Sequence, residues 1–265
     1  MLGCQSWDEL NKTIIEECKI KGWISPQLYD EYLIDKDKKR VLQKCRIKFI
    51  KNNEEPRYFD LIRKSCKGKQ ELIENYNIYD ELKQIPAKYA STNFDLLFAN
   101  KFIDKYVIYK NNEFDPDMIK RGVLYQIHGS LKDNNSIVLT TLDYTTKYNI
   151  QNYLNFLKKF FNDNLLLFIG YGLEEMEILI PFFNKVINKS CLRSYLLQGY
   201  NKKRAVLLQD NKDYYACLGV ELIPFDCERL GYNLLFNIIG YWHRKIQKNC
   251  DVIYNDLNQI ERLVK

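Results

Sequence analysis

The hydrophobic rhythm of the chain changes once, near residue 86. Before that point apolar residues recur at helical spacing. Leu10, Ile14 and Cys18 share one face of a predicted helix that begins near Trp7. Ser6-Trp7-Asp8-Glu9 supplies the Ser-x-x-Glu pattern of a capping box at its start. Residues 25–85 are charged and hold few β-branched runs. They carry helical patches such as Leu72-Ile73 with Tyr76, punctuated by Pro26, Pro56 and Gly68, and read as a helical insertion of several short helices. After residue 86, short apolar runs at 87–92, 105–109, 122–127, 136–140, 165–169, 194–198 and 220–225 predict strands. The clearest amphipathic helix between them has Ile150, Tyr153, Leu154, Leu157 and Phe161 on one face, with Asn155, Lys158 and Lys159 opposite. Strands alternating with helices predict an α/β fold with a mostly parallel sheet covered by helices on both faces. No repeat or low-complexity tract interrupts it. One domain over 1–265 is expected, with the insertion at about 25–85 and a C-terminal helix at about 228–265. Ile253, Leu257, Ile260 and Val264 form a stripe along that helix, to pack on its own domain or on a partner.

Composition narrows the function classes. Apolar residues make up 46% of the chain, with 20 Tyr and 14 Phe, enough for a substantial core. The net charge is +6, but Lys and Arg are scattered. The densest run, Lys36-Asp37-Lys38-Lys39-Arg40, is broken by an acid and reads as a solvated face, so nucleic acid is not indicated. No run approaches the roughly 18 apolar residues of a membrane span. Trp7-Asp8-Glu9 precedes any apolar run, unlike a signal peptide. A cytoplasmic protein without a membrane partner is expected. Eight cysteines, at 4, 18, 45, 66, 191, 217, 227 and 250, form no Cys-x-x-Cys pair, and His128 and His243 are the only histidines. Reduced thiols and no metal site are the expectation.

In parallel α/β sheets ligands bind at the carboxyl ends of strands. Three predicted strands end in chemistry-bearing residues: Thr92-Asn93-Phe94-Asp95, His128-Gly129-Ser130, and Gly170-Tyr171-Gly172 ahead of a helix opening with Glu174-Glu175. Each has a bland reading. Asn and Asp often cap turns, and a lone histidine is more often structural than catalytic. Glycines let the backbone approach a ligand, and a helix N-terminus offers free amides to an anion.

The ordered set "STNFD", "YQIHGS", "SIVLTTLDY" and "LLFIGYGLEEMEI", closing with "GVELIPF", resembles the sirtuin-like NAD-consuming domains, over roughly residues 3 to 240. The likeness is greatest to the prokaryotic branch found in anti-phage defence proteins. It implies a Rossmann-like sheet, Asn93 and His128 as catalytic residues, and Asp95 at the nicotinamide end. Thr92, Gly170, Tyr171 and Gly172 are implied as further NAD-binding positions. Sirtuin deacetylases carry a zinc module with two Cys-x-x-Cys pairs after the catalytic histidine. No cysteine lies between His128 and Leu165, so that module is expected to be absent. The family usually has Ser at the position of Gly172 and Asp at that of Glu175. It also opens with a strand and a Gly-Ala-Gly-x-Ser phosphate loop, whereas Gly3 to Trp7 matches only the segment after that loop. Weak NAD binding by the chain as it stands is therefore expected. The implied function is an NAD+ hydrolase that releases nicotinamide and ADP-ribose and depletes NAD in anti-phage defence. NAD+ is then a substrate, no metal is involved, and the partner is a second copy or a defence-system protein. A catalytically impaired assembly subunit and an NAD-dependent deacylase are the alternatives.

Overall fold

Helix α1 (Trp7–Ile20) begins where the capping box predicts. Ser6 Oγ accepts the Glu9 amide at 3.3 Å, and the Glu9 carboxylate accepts the Ser6 amide at 2.7 Å. The computed structural model describes residues 2–171, 194–201, 205–228 and 231–264. The chain forms two compact units, Met1–Phe114 with Lys120–Ile150, and Asp115–Ile119 with Gln151–Lys265.

In the first unit α1 is followed by α2 (Pro26–Ile34), α3 (Lys38–Lys51), α4 (Glu55–Ser65), α5 (Gln70–Asn75) and α6 (Ile78–Gln84). The charged run at 36–40 supplies a cap. Asp37 accepts the Arg40 amide at 3.0 Å, and the Arg40 guanidinium returns to both oxygens of Asp35. Ile14, Ile15 and Cys18 of α1, Val41, Leu42, Cys45 and Phe49 of α3, and Ile62 of α4 form a closed core. Each such aliphatic or aromatic side chain contributes about 1.5–3 kcal/mol by leaving water. Trp23 and Tyr58 pack their rings against Phe49 at 5.0 and 5.5 Å.

Three short strands complete this unit: β1 (Tyr89–Ser91), β2 (Val107–Ile108) and β3 (Leu124–Gln126). They are ordered β1-β3-β2 and all parallel, with Tyr89 opposite Leu124 and Ser91 opposite Gln126. The strand predicted at 136–140 is not one. A 3-10 turn covers Asn134–Ser136, and Ile137, Val138 and Leu139 run extended to the cap of α7 (Thr141–Lys147). An apolar run reports burial, not ladder pairing, and these three side chains are buried, Ile137 and Leu139 within the helical core.

The second unit holds α8 (Gln151–Asn162), β4 (Leu166–Ile169), β5 (Ser194–Tyr200), α9 (Ala205–Cys217), β6 (Val220–Asp226) and α10 (Leu234–Val264). Its strands are again parallel, in the order β4-β5-β6. Pro224 lies in β6 at the edge of this ladder, where a residue without an N–H is tolerated. Helix α8 buries Tyr153, Phe156, Leu157, Phe160 and Phe161, and exposes Asn155, Lys158 and Lys159 as predicted; Leu154 is half-buried. The side chains of Ile253, Leu257, Ile260 and Val264 lie outside the described residues. The expected parallel α/β architecture is present, its strands hydrogen-bonded as two three-stranded ladders.

Candidate active site

Parallel pairing of β1 with β3 sets the register of the first two motifs. Ser91 lies opposite Gln126, and the Ile127 amide still donates to the Ser91 carbonyl at 2.9 Å. Asn93 and His128 each follow two residues after that last pair. They therefore leave neighbouring strands at the same end, with Thr92 just before Asn93 and Asp95 just after.

The loop from Thr92 to Asp95 is held from beneath. Gln126, 1% exposed, donates its amide nitrogen to the carbonyls of Asn93 (3.1 Å) and Asp95 (2.8 Å). Two carbonyls on one side fix the orientation of that amide. Its Oε1 meets no donor among the described residues. The Leu131 amide donates to the Phe94 carbonyl at 2.9 Å. The bland reading holds for Asp95, whose Oδ1 accepts the Leu97 amide at 2.8 Å, whereas at Asn93 the capping side chain is Ser91, whose Oγ accepts the Asn93 amide at 3.1 Å. The Asn93 residue is exposed and its side chain hydrogen-bonds the Tyr79 phenol, while Thr92 is half-buried. Tyr79 stacks on Phe98 at 4.5 Å. Burial holds the Asp95 carboxyl above the ordinary carboxylate range, against the opposing pull of the Leu97 N–H.

The His128-Gly129-Ser130 turn admits only glycine at its centre. Gly129 has φ +85°, and a Cβ there would lie 1.9 Å from the Ser136 carbonyl oxygen. Ser136 Oγ accepts the Ser130 amide at 3.0 Å, and the Val138 amide donates to the His128 carbonyl at 2.9 Å. The extended 137–139 segment thus anchors the turn from the other side.

The imidazole of His128 is 4% exposed, and its Nε2 lies 3.1 Å from the Tyr148 hydroxyl. Tyr144, Lys147 and Tyr148 occupy positions i, i+3 and i+4 at the end of α7, so they share one side of the helix. The rings of Tyr144 and Tyr148 stack at 6.0 Å, and His128 meets both edge-on, at 5.1 and 6.2 Å. Lys147, 3% exposed, hydrogen-bonds Asn111 and lies 4.5 Å from the centre of the Phe114 ring. Lys39 of α3 lies 4.5 Å over Tyr144. Burial, then the charges of Lys147 and Lys39, push His128 down to about 3, so the ring is neutral at physiological pH. Burial alone pushes Lys147 down to about 8. Helix α7 is positioned by its own cap and by the helical region. Thr140 and Asp143 form a capping box, and Arg46 of α3 bridges Glu55 (2.9 Å) and Asp143 (3.0 Å).

Residues 87–215 match the family model of the SIR2-like domain. No curated protein matches the chain. A SIR2-like domain implies an NAD-using, sirtuin-like enzyme. The matched segment contains Asn93, His128 and Gly170 alike. Its donor set fits such a ligand: a neutral amide at Asn93 that both donates and accepts, a carboxyl at Asp95 and a neutral imidazole at His128 suit ribose hydroxyls and a carboxamide. Elsewhere in the SIR2-like segment, Gly170 follows β4 with φ +72°, and among the described residues nothing lies within 4 Å of where its Cβ would stand. Tyr171 packs its ring on Phe168 at 5.3 Å. Gly172, Glu174 and Glu175 lie outside the described residues. Among the described residues, no three His, Cys, Asp or Glu cluster as a metal site, and no helix is long and apolar enough to cross a membrane. Sequence reasoning missed Gln126, Lys147 and Tyr148. Lys147 and Tyr148 lie on the side of α7 that faces His128, a relation that the spacing of α7 does not reveal by itself.

Proposed function

We propose that the chain is an NAD+ glycohydrolase acting through Asn93 and His128. The supporting observation is their matched place after β1 and β3, where an exposed amide and a neutral imidazole leave adjacent strands together. Bound NAD+ supplies its own cationic leaving group, so the nicotinamide–ribose bond breaks without an acid, nicotinamide departing neutral with the bonding electrons. Asn93 orients a water and the ribose. His128 accepts the proton that this water sheds as its oxygen bonds to the sugar carbon, giving ADP-ribose and one released proton. Water bonding to a cationic carbon becomes strongly acidic, so a weak base suffices. Asp95 holds the carboxamide end, with Thr92 beside it; Gly170, Tyr171 and Gly172 are the further NAD-binding positions that the SIR2-like resemblance implies. Depletion of NAD in anti-phage defence, alone as an oligomer or with a defence partner, is the role that fits such a hydrolase.

A non-catalytic assembly subunit is the second reading, favoured by the burial of His128 and the engagement of its Nε2. Nicotinamide release by the purified chain separates the two. His128→Ala and Asn93→Ala are expected each to lower kcat by roughly 10²-fold or more, the range of lost general-base catalysis. Because His128 is held to about 3 rather than its ordinary 6.5, the rate should show no acid limb near 6.5. Absence of nicotinamide release by the wild-type chain, or full turnover by either variant, would remove the hydrolase assignment.

A further inference from the structure

The neutral His128 ring has one nitrogen that donates and one that accepts. Which is which decides where a proton can be received. Around the ring stand Tyr144, Lys147 and Tyr148 from the end of α7 and Lys39 from α3. Of these, the Tyr148 hydroxyl makes a hydrogen bond with a ring nitrogen, Nε2, at 3.1 Å. A phenolic O–H is a better donor than acceptor, and the unprotonated imidazole nitrogen is the stronger acceptor of the two partners. The preferred arrangement therefore has Tyr148 donating to the lone pair of Nε2, with the ring hydrogen on Nδ1. Tyr148 is itself well placed to do this. Its amide donates to the Tyr144 carbonyl at 2.9 Å, closing α7, and its ring stacks on Tyr144, so the hydroxyl has a fixed origin.

We propose that Tyr148 is a positioning residue for His128: its hydroxyl fixes the plane of the ring and keeps Nε2 as the proton-accepting nitrogen until a substrate hydroxyl or water takes its place. The inference rests on reading His128 as the proton acceptor. It adds that this nitrogen is held ready rather than selected when substrate binds. A purely structural tyrosine would support α7 without governing the tautomer.

The chain has two histidines, so 15N-imidazole NMR of the full-length protein resolves them, with His243→Gln assigning the remaining ring to His128. The wild-type ring should show one protonated nitrogen, Nδ1, and one hydrogen-bonded, unprotonated nitrogen, Nε2, unchanged from pH 8 to pH 5. In Tyr148→Phe the Nε2 signal should move and the two nitrogens approach one another as the tautomers exchange. Nicotinamide-release assays on that variant should show kcat lower by roughly tenfold with KM not raised, a loss of positioning rather than of substrate contact. Unaltered His128 signals in Tyr148→Phe, or a raised KM at unchanged kcat, would overturn the assignment. If that variant fails to fold, the wild-type spectrum decides: a ring that averages its tautomers, or protonates by pH 6, overturns it. The two proposals fail separately. The stated NMR response without nicotinamide release would sink the hydrolase and keep Tyr148. Release with a silent Tyr148→Phe would do the reverse.

Discussion

Asp95 sits in its loop at a thermodynamic disadvantage. Burial raises its pKa, so the folded chain holds the proton more tightly than the unfolded chain does. The favourable contribution of that proton is fully present below the unfolded value near 3.8 and is lost as pH rises through the folded value. At pH 7 the carboxylate therefore opposes folding. Asp95→Asn keeps an acceptor for the Leu97 amide and removes the charge, and should raise the thermal midpoint at pH 7, with the gain shrinking as pH falls toward 4. The same change should raise KM for NAD+ if the carboxyl holds the carboxamide end. A lower midpoint at pH 7 would contradict the account. Such a trade of stability for a site is common where binding groups are partly desolvated.

Among the elements, the turn after β3 is tightly constrained. In Gly129→Ala the new methyl group would overlap the Ser136 carbonyl, which is backbone and cannot swing away, and the positive φ adds strain. A loss of roughly 3 kcal/mol or more in urea unfolding is expected, the scale of combined strain and steric overlap. A loss below about 0.5 kcal/mol would mean the 136–138 segment yields readily. That segment also marks where the sequence was hard to read. Periodicity and caps predicted α1, the helical run to residue 84, the parallel strands and the face of α8. The motifs put Asn93 and His128 at strand ends, where they stand. Residues 137–139 carry the same apolar signal as a strand, and only tertiary contacts distinguish a buried extended linker from a ladder. Tyr148 and Lys147 escaped because their relation to His128 is three-dimensional: α7 is short, and nothing in its own periodicity says which side faces the ring.

At the scale of the whole molecule, buried basic groups set the response to acid. His128 drops from 6.5 to about 3 on folding, so its contribution is present above pH 6.5 and lost as pH falls toward 3. Lys147 drops from 10.5 to about 8 with the same sign, its contribution present above 10.5 and lost as pH falls through 8. Between pH 7 and 5 the His128 contribution falls, with a slope that approaches about 1.4 kcal/mol per pH unit once the unfolded ring is fully protonated. Urea unfolding at both pH values should show the wild-type chain losing more stability on acidification than His128→Gln; parallel losses would refute it. The core described first has a further consequence, for where this protein can be divided. Ile137 and Leu139, inside the matched segment, sit in the same apolar cluster as Ile14, Val41 and Phe49, all of which precede residue 87. A cut placed where family similarity begins would slice through that cluster and bare the underside of the loop carrying His128. Homology marks a border here that the physics of folding does not recognise, and a fragment, chimera or graft that respects it would inherit the motif without its foundation.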